Sequence, residues 1–232
     1  MSPPLESVSN AAPERRRAVD SAARQARSVS ILRATEQLLL DNHDRLPSVD
    51  EIAAAAGLAK GTVYLYYQSK EHILLALHEA YTSAFFDALI ARLEGSGVMS
   101  VKTLVEFAGA NLLRNPLYMR LAIVCHAAIQ HDLPDVVVEQ HATFVGAALR
   151  RAGTLLERRF AALRRGEGAR MLHASYGLTL GLWQLYRPNA RTLACGMAAL
   201  GREVNFATEV QYALDAMWRG RLTAAPNKRS KS

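Results

Sequence analysis

The stretch SVDEIAAAAGLAKGTVYLYYQSKE, residues 48–71, decides the fold. Ser48 stands three residues before Glu51, the spacing at which a serine hydroxyl and a glutamate carboxylate cap a helix start reciprocally. The helix so opened is short and closes at Gly57, a residue that readily takes the left-handed conformation ending many helices. A further short helix begins near Lys60. Two short helices joined by a tight glycine turn form the helix-turn-helix pattern.

That pattern assigns faces. Ala53 lies four residues before the glycine, where the two helices cross closely and a large side chain would clash. Ile52, Ala56, Leu58, Val63 and Tyr67 point inward, Val63 and Tyr67 sharing a face at a separation of four. The opposite face carries Lys60, Gly61, Tyr64, Leu65 and Gln68. In this geometry the second helix enters the DNA major groove. Gly61 lets backbone approach a base edge or phosphate, Lys60 brings a mobile charge, and Thr62 and Tyr64 bring hydroxyls. Tyr66 lies on the flank. Ser48 and Lys70 mark helix N-termini, whose free N–H groups favour phosphate. The expected DNA-contacting residues are therefore Ser48, Lys60, Gly61, Thr62, Tyr64, Leu65, Tyr66 and Lys70.

Upstream, Ile31, Leu32, Thr35, Leu38 and Leu39 fall at helical spacing and give a first helix one apolar face. It runs out at DNHDRLP, where Pro47 cannot continue it. Downstream, Ser69-Lys70-Glu71 opens a longer helix with a broad apolar face from Ile73 to Leu89. Further helical segments are expected over about 99–113, 116–130, 134–165, 167–186 and 202–219, with breaks at Gly97, Pro116, Pro134, Gly166 and Pro188. The fold class is all-α: a three-helix head on a larger helical body. Residues 1–20, rich in Pro, Ser, Ala and Arg, read as a disordered tail. The head spans 21–68 with its motif at about 48–67, the body 69–220, and a basic tail 221–232.

The ordered residues ILRATEQLL, VDEIAAAAGLAKGTVYLYY and SKEHILLAL, between about Arg27 and Ala76, resemble the N-terminal domain of TetR-type transcriptional regulators. The resemblance implies a body that binds a small effector and forms a homodimer, and it favours a repressor. Three positions depart from the family pattern. His43 and Asp44 stand where a glycine and an aromatic are usual. Ala59 stands where a Ser or Thr often caps the recognition helix. Leu65 stands where a polar reader is common, and it offers only apolar contact, such as to a thymine methyl.

Composition agrees with this reading. The 232 residues are half apolar, enough for a sizeable core, and the net charge of +7 suits a polyanionic partner, although much of the excess is terminal. No uninterrupted apolar run reaches the length of a membrane span, and the N-terminus lacks a secretory core. Cys125 and Cys195 form no CxxC and read as reduced thiols in a cytoplasmic protein. His126, His131 and His141 do not share a helical face, so no metal or other cofactor is expected. In the body, Phe107, Tyr118, Met119, His126, Phe144, Tyr176 and Trp183 are apolar or aromatic with some polar tips, as effector pockets tend to be. Ala174, Gly177 and Gly181 form a small-residue stripe assigned, with segment 202–219, to a dimer interface. The expected partners are a double-stranded DNA operator, an apolar or aromatic small effector and a second copy of the chain, with no membrane. A helical interaction module or a helical-bundle enzyme are the rival readings. No GxSxG, HExxH or glycine-rich phosphate loop supports the enzyme.

Overall fold

Helix signals in the sequence become helices at nearly the expected places. The computed structural model describes residues 11–42, 45–186 and 205–223, with side chains from Ser21 onward in the first helix. His43, Asp44, Cys195 and the lysines of the basic tail lie outside the described residues. The described residues are helical without strands, in the order α1 (Ala11–Asp41), α2 (Val49–Ala55), α3 (Lys60–Tyr64), α4 (Lys70–Glu94), α5 (Val101–Ala108), α6 (Tyr118–His131), α7 (Asp135–Arg159), α8 (Glu167–Tyr186) and α9 (Phe206–Thr223). The first helix starts at Ala11, so half of the expected N-terminal tail is helical. Pro13 does not prevent this, because a first-turn N–H has no intrahelical partner to lose.

Two compact units, Met1–Leu77 and His78–Ser232, meet within α4 rather than at its start near Ser69. In the head, the reciprocal cap is formed: Glu51 N–H donates to Ser48 Oγ at 3.3 Å, and Ser48 N–H donates to Glu51 Oε2 at 2.8 Å. Gly57 has φ +67°, and its turn is closed by Gly57 N–H to Ala54 O and Leu58 N–H to Ala53 O. This is the double-bonded helix stop that a left-handed residue permits. Ala59 gives α3 no side-chain cap. The helix is held by packing instead: Ile31, Ile52, Ala53, Val63, Tyr67 and Ile73 form a buried core. Tyr67 also meets Ser28 of α1 through a 2.8 Å hydroxyl–hydroxyl bond. Ser48→Ala should destabilise the head by about 1 kcal/mol, read as a lower denaturant midpoint at unchanged slope.

The body core joins α4, α5, α7, α8 and α9 around Leu89, Leu156 and Trp218. An 18-residue window of α4 reaches a mean hydropathy of 1.3, with half of it buried. The few interspersed polar residues that break its apolar runs do not offset that average, as is common in a core helix. After α5 the chain makes one wider π turn, Gly109–Leu113. The helices α7 and α8 cross closely. A Cβ on Gly153 would lie 2.4 Å from Ala169 N, and one on Gly168 would lie 2.2 Å from Gly153 O. These two glycines, not the Ala174–Gly181 stripe, let two helices of one chain touch by backbone. Trp218 Nε1–H donates to Ser175 Oγ at 3.0 Å, tying α9 to α8.

Candidate functional site

The head exposes the face expected of a reading helix. Ala59, Lys60, Gly61, Tyr64, Leu65 and Gln68 are exposed, whereas Val63 and Tyr67 are buried. Leu65 is 72% exposed, an apolar residue set on an otherwise polar face. Nothing lies within 4 Å of where a Gly61 Cβ would be, so the open backbone there serves no packing need. Lys60 Nζ is 2.8 Å from Asp50 Oδ2 in the first turn of α2, and this bond raises the ammonium pKa. A phosphate would therefore compete with Asp50 for Lys60. Thr62, Tyr66, Ser69 and Lys70 are partly exposed beside this face. Ser69 Oγ accepts from His72 N–H and caps α4, while Lys70 lies 3.5 Å from Glu71.

Two basic residues beyond the expected set shape this surface. Arg24 lies over the Tyr66 ring, 5.7 Å from its centroid. Arg45 forks onto the Glu51 carboxylate and, with Ser48, holds that carboxyl far below its ordinary range. Arg45 thus braces the helix start that the capping box opens. Its place directly before Leu46-Pro47-Ser48 was the available signal. The Arg24 contact depends on the path of α1 and has no local signature.

The body holds a cavity of about 170 Å³ between α4, α5, α6, α7, α8 and α9. Phe107, Tyr118, His126 and Tyr176 are among its lining residues. Met119, Phe144 and Trp183 are not among its lining residues. Met119 is buried on the same helix as Tyr118 but a step of about 100° around it, and Trp183 packs edge-on against Phe206. The chain brings His78, Thr82 and His141 to the wall instead. His78 and Thr82 sit four apart in an otherwise apolar stretch of α4, a spacing that puts both on one face.

His78 is 5% exposed, and neither ring nitrogen meets a hydrogen-bonding partner among the described residues. The buried Tyr176 hydroxyl is in the same condition. Burial, then His141 and His126, push His78 down to about 3, so it is neutral at physiological pH. The His78 ring tilts against Tyr118 with centroids 5.1 Å apart, and His126 against Tyr176 at 5.7 Å. Cys125 is a buried free thiol pushed up to about 12 by burial and by Glu79, which makes it a poor nucleophile. No group of three or more metal-ligating side chains occurs among the described residues.

Ala174, Gly177 and Gly181 lie on the exposed side of α8. A Cβ on Gly177 or Gly181 would meet nothing within 4 Å. Leu185, on the same side, is 72% exposed, and Tyr212 of α9 is 73% exposed.

The family model of bacterial regulatory proteins of the tetR family matches residues 31–77. The model of the tetracyclin repressor-like C-terminal domain matches residues 79–225, more than half of the chain. The chain belongs to the TetR family. It is a TetR-type transcription regulator, with the DNA-binding domain at its N-terminus and the family's helical domain after it. A fatty acid metabolism regulator protein of Bacillus subtilis (strain 168) is 33% identical over 61 residues. That match covers 26% of this chain and 31% of the relative, less than a third of its length. A solved Clostridium perfringens protein described as a fatty acid metabolism regulator shares the fold, with a TM-score of 0.50 and 18% identity over 86% of this chain and all of that one.

Proposed function

We propose that this TetR-family regulator is a cytoplasmic, ligand-released repressor that binds a near-palindromic operator as a homodimer. The single observation that carries the proposal is the division of labour over α3 and the turn that follows it, residues 60–68. Val63 and Tyr67 are spent on the head's core, while Lys60, Gly61, Tyr64, Leu65 and Gln68 remain exposed together. Thr62, Tyr66, Ser48 and Lys70 flank that face and would set register on the phosphates. The outward small-residue stripe on α8, with the exposed side chains of α9, supports self-association. Adding a Cβ there meets nothing among the described residues, which leaves room for a second copy's helices to approach closely. The cavity supports an effector that is mostly apolar. The names of the two relatives add fatty acid metabolism as a candidate regulon.

An effector acts only through its different affinity for the operator-bound and released forms. Gel-shift titration with the full chain tests this reading. Operator affinity should fall on adding the effector, and the fall should saturate. Lys70→Ala should lower the salt slope of operator binding by about one unit. An unchanged slope would mean that Lys70 touches no phosphate.

A further inference from the structure

The cavity has two unlike ends. Along α4 its wall runs from His78 and Thr82 to Phe86 and Leu89. At 1.5 Å per residue, these eleven steps span roughly 16 Å. Along α7 it runs from His141 to Val145 and Leu149. The two helices are tied at both ends, through the 2.8 Å His141 Nδ1–Glu79 bond and the 2.8 Å bond from Arg159 Nε to Leu93 O. They therefore run side by side, polar end with polar end. Tyr118 joins the polar end through its ring contact with His78. His126, paired ring to ring with Tyr176, lies close enough to influence His78 electrostatically, as Tyr118 does Tyr176. Leu104, Leu214 and Trp218 close the apolar one.

Resting on the effector reading above, we infer that the polar end is a head-group subsite for a carboxylic acid with an apolar tail, bound together with one proton. Apolar occupancy alone leaves the two His78 nitrogens and the Tyr176 hydroxyl unsatisfied, which is unfavourable for each such buried group. A carboxyl group offers up to four acceptor positions to imidazole and phenol donors. The cavity's size, close to that of an apolar cavity able to take benzene, suits a head and short tail of about six to ten heavy atoms.

Charge balance requires the proton. Among the described residues, no lysine or arginine lines the cavity. The charged and titratable groups around the polar end are His78 and Glu79 from α4, Tyr118, Cys125 and His126 from α6, His141 from α7, and His173 and Tyr176 from α8. The α5 and α9 walls contribute only uncharged side chains. Glu79 already faces His141. His78 and His126 are both depressed, chiefly by burial, which disfavours the charged form of each. An unaccompanied carboxylate would thus be buried without a cation. The proton is taken from solvent and held either on an imidazole or on the ligand carboxyl; in both cases the bound site gains one proton. Affinity for the acid therefore rises as pH falls.

Calorimetric titration of the full chain with octanoate and with 1-octanol, from pH 6 to 8, tests this. Octanoate should lose up to tenfold in affinity per pH unit, with one proton taken up when buffers of different ionisation enthalpy are compared. Octanol should bind without pH dependence. His78→Leu should abolish most of the octanoate pH dependence while retaining octanol binding. Octanol binding with pH-independent octanoate binding, or with no octanoate binding, would overturn the head-group assignment and leave the effector cavity standing. Binding of neither compound would overturn both. The wild-type proton count is decisive even if His78→Leu does not fold.

Discussion

Gly168→Ala is expected to destabilise the body severely, by about 3 kcal/mol, which for a chain of this size lowers Tm by roughly 6–12 °C. The added Cβ would fall 2.2 Å from Gly153 O and 2.7 Å from Gly153 C. Those are backbone atoms of a neighbouring helix, so no rotamer change relieves the clash. The helices α7 and α8 must separate, and with them the core contacts around Leu156 and Leu172. Gly177→Ala is the matched control. It lies on the same helix, has no atom within 4 Å of the new Cβ, and removes a helix-interior glycine. It should leave the folded subunit as stable or slightly more so, while weakening dimerisation if that face is the interface. Thermal melts followed by circular dichroism, with sedimentation for the oligomer, separate the two effects. A wild-type melt for Gly168→Ala would mean that α7 and α8 do not approach as closely as described.

The second large effect is on DNA. Tyr64→Ala and Lys60→Ala should each weaken operator binding about tenfold to a hundredfold. Neither should unfold the head. Tyr64 is 46% exposed and lies outside the buried core, and the Lys60 ion pair with Asp50 is exposed. The two should differ in kind. Lys60→Ala should reduce affinity for operator and unrelated DNA alike, because it removes a charge. Tyr64→Ala should narrow the difference between them. Gel shifts at several salt concentrations read both, and unchanged operator affinity in both variants would remove α3 from the reading role.

The head was legible because its signals are local. The Ser48–Glu51 box, the positive φ of Gly57 and the inward Val63–Tyr67 pair depend on residues within a few positions of one another. The missing cap at Ala59 was legible for the same reason. The body was legible only as helices. Periodicity marks an apolar face, but it does not say whether that face meets another helix or a cavity. Phe107, Tyr118, His126 and Tyr176 reach the wall, whereas Met119 and Trp183 have similar chemistry and pack elsewhere. His78 was the missed signal: a histidine within the apolar stripe LLALHEAYTSAFF, four residues before a threonine on the same face. The Gly153–Gly168 crossing joins positions on two helices that only the tertiary fold brings together. The division between Leu77 and His78 carries no break in sequence, because α4 runs through it.

Selection of bound sequences from a random DNA pool by the full-length protein tests the central claim most directly. The account predicts one enriched motif with two inverted half-sites at fixed spacing, lost from the pool when Tyr64→Ala replaces the wild type. A pool that shows no enrichment, or that enriches a motif equally well bound by Tyr64→Ala, would contradict it.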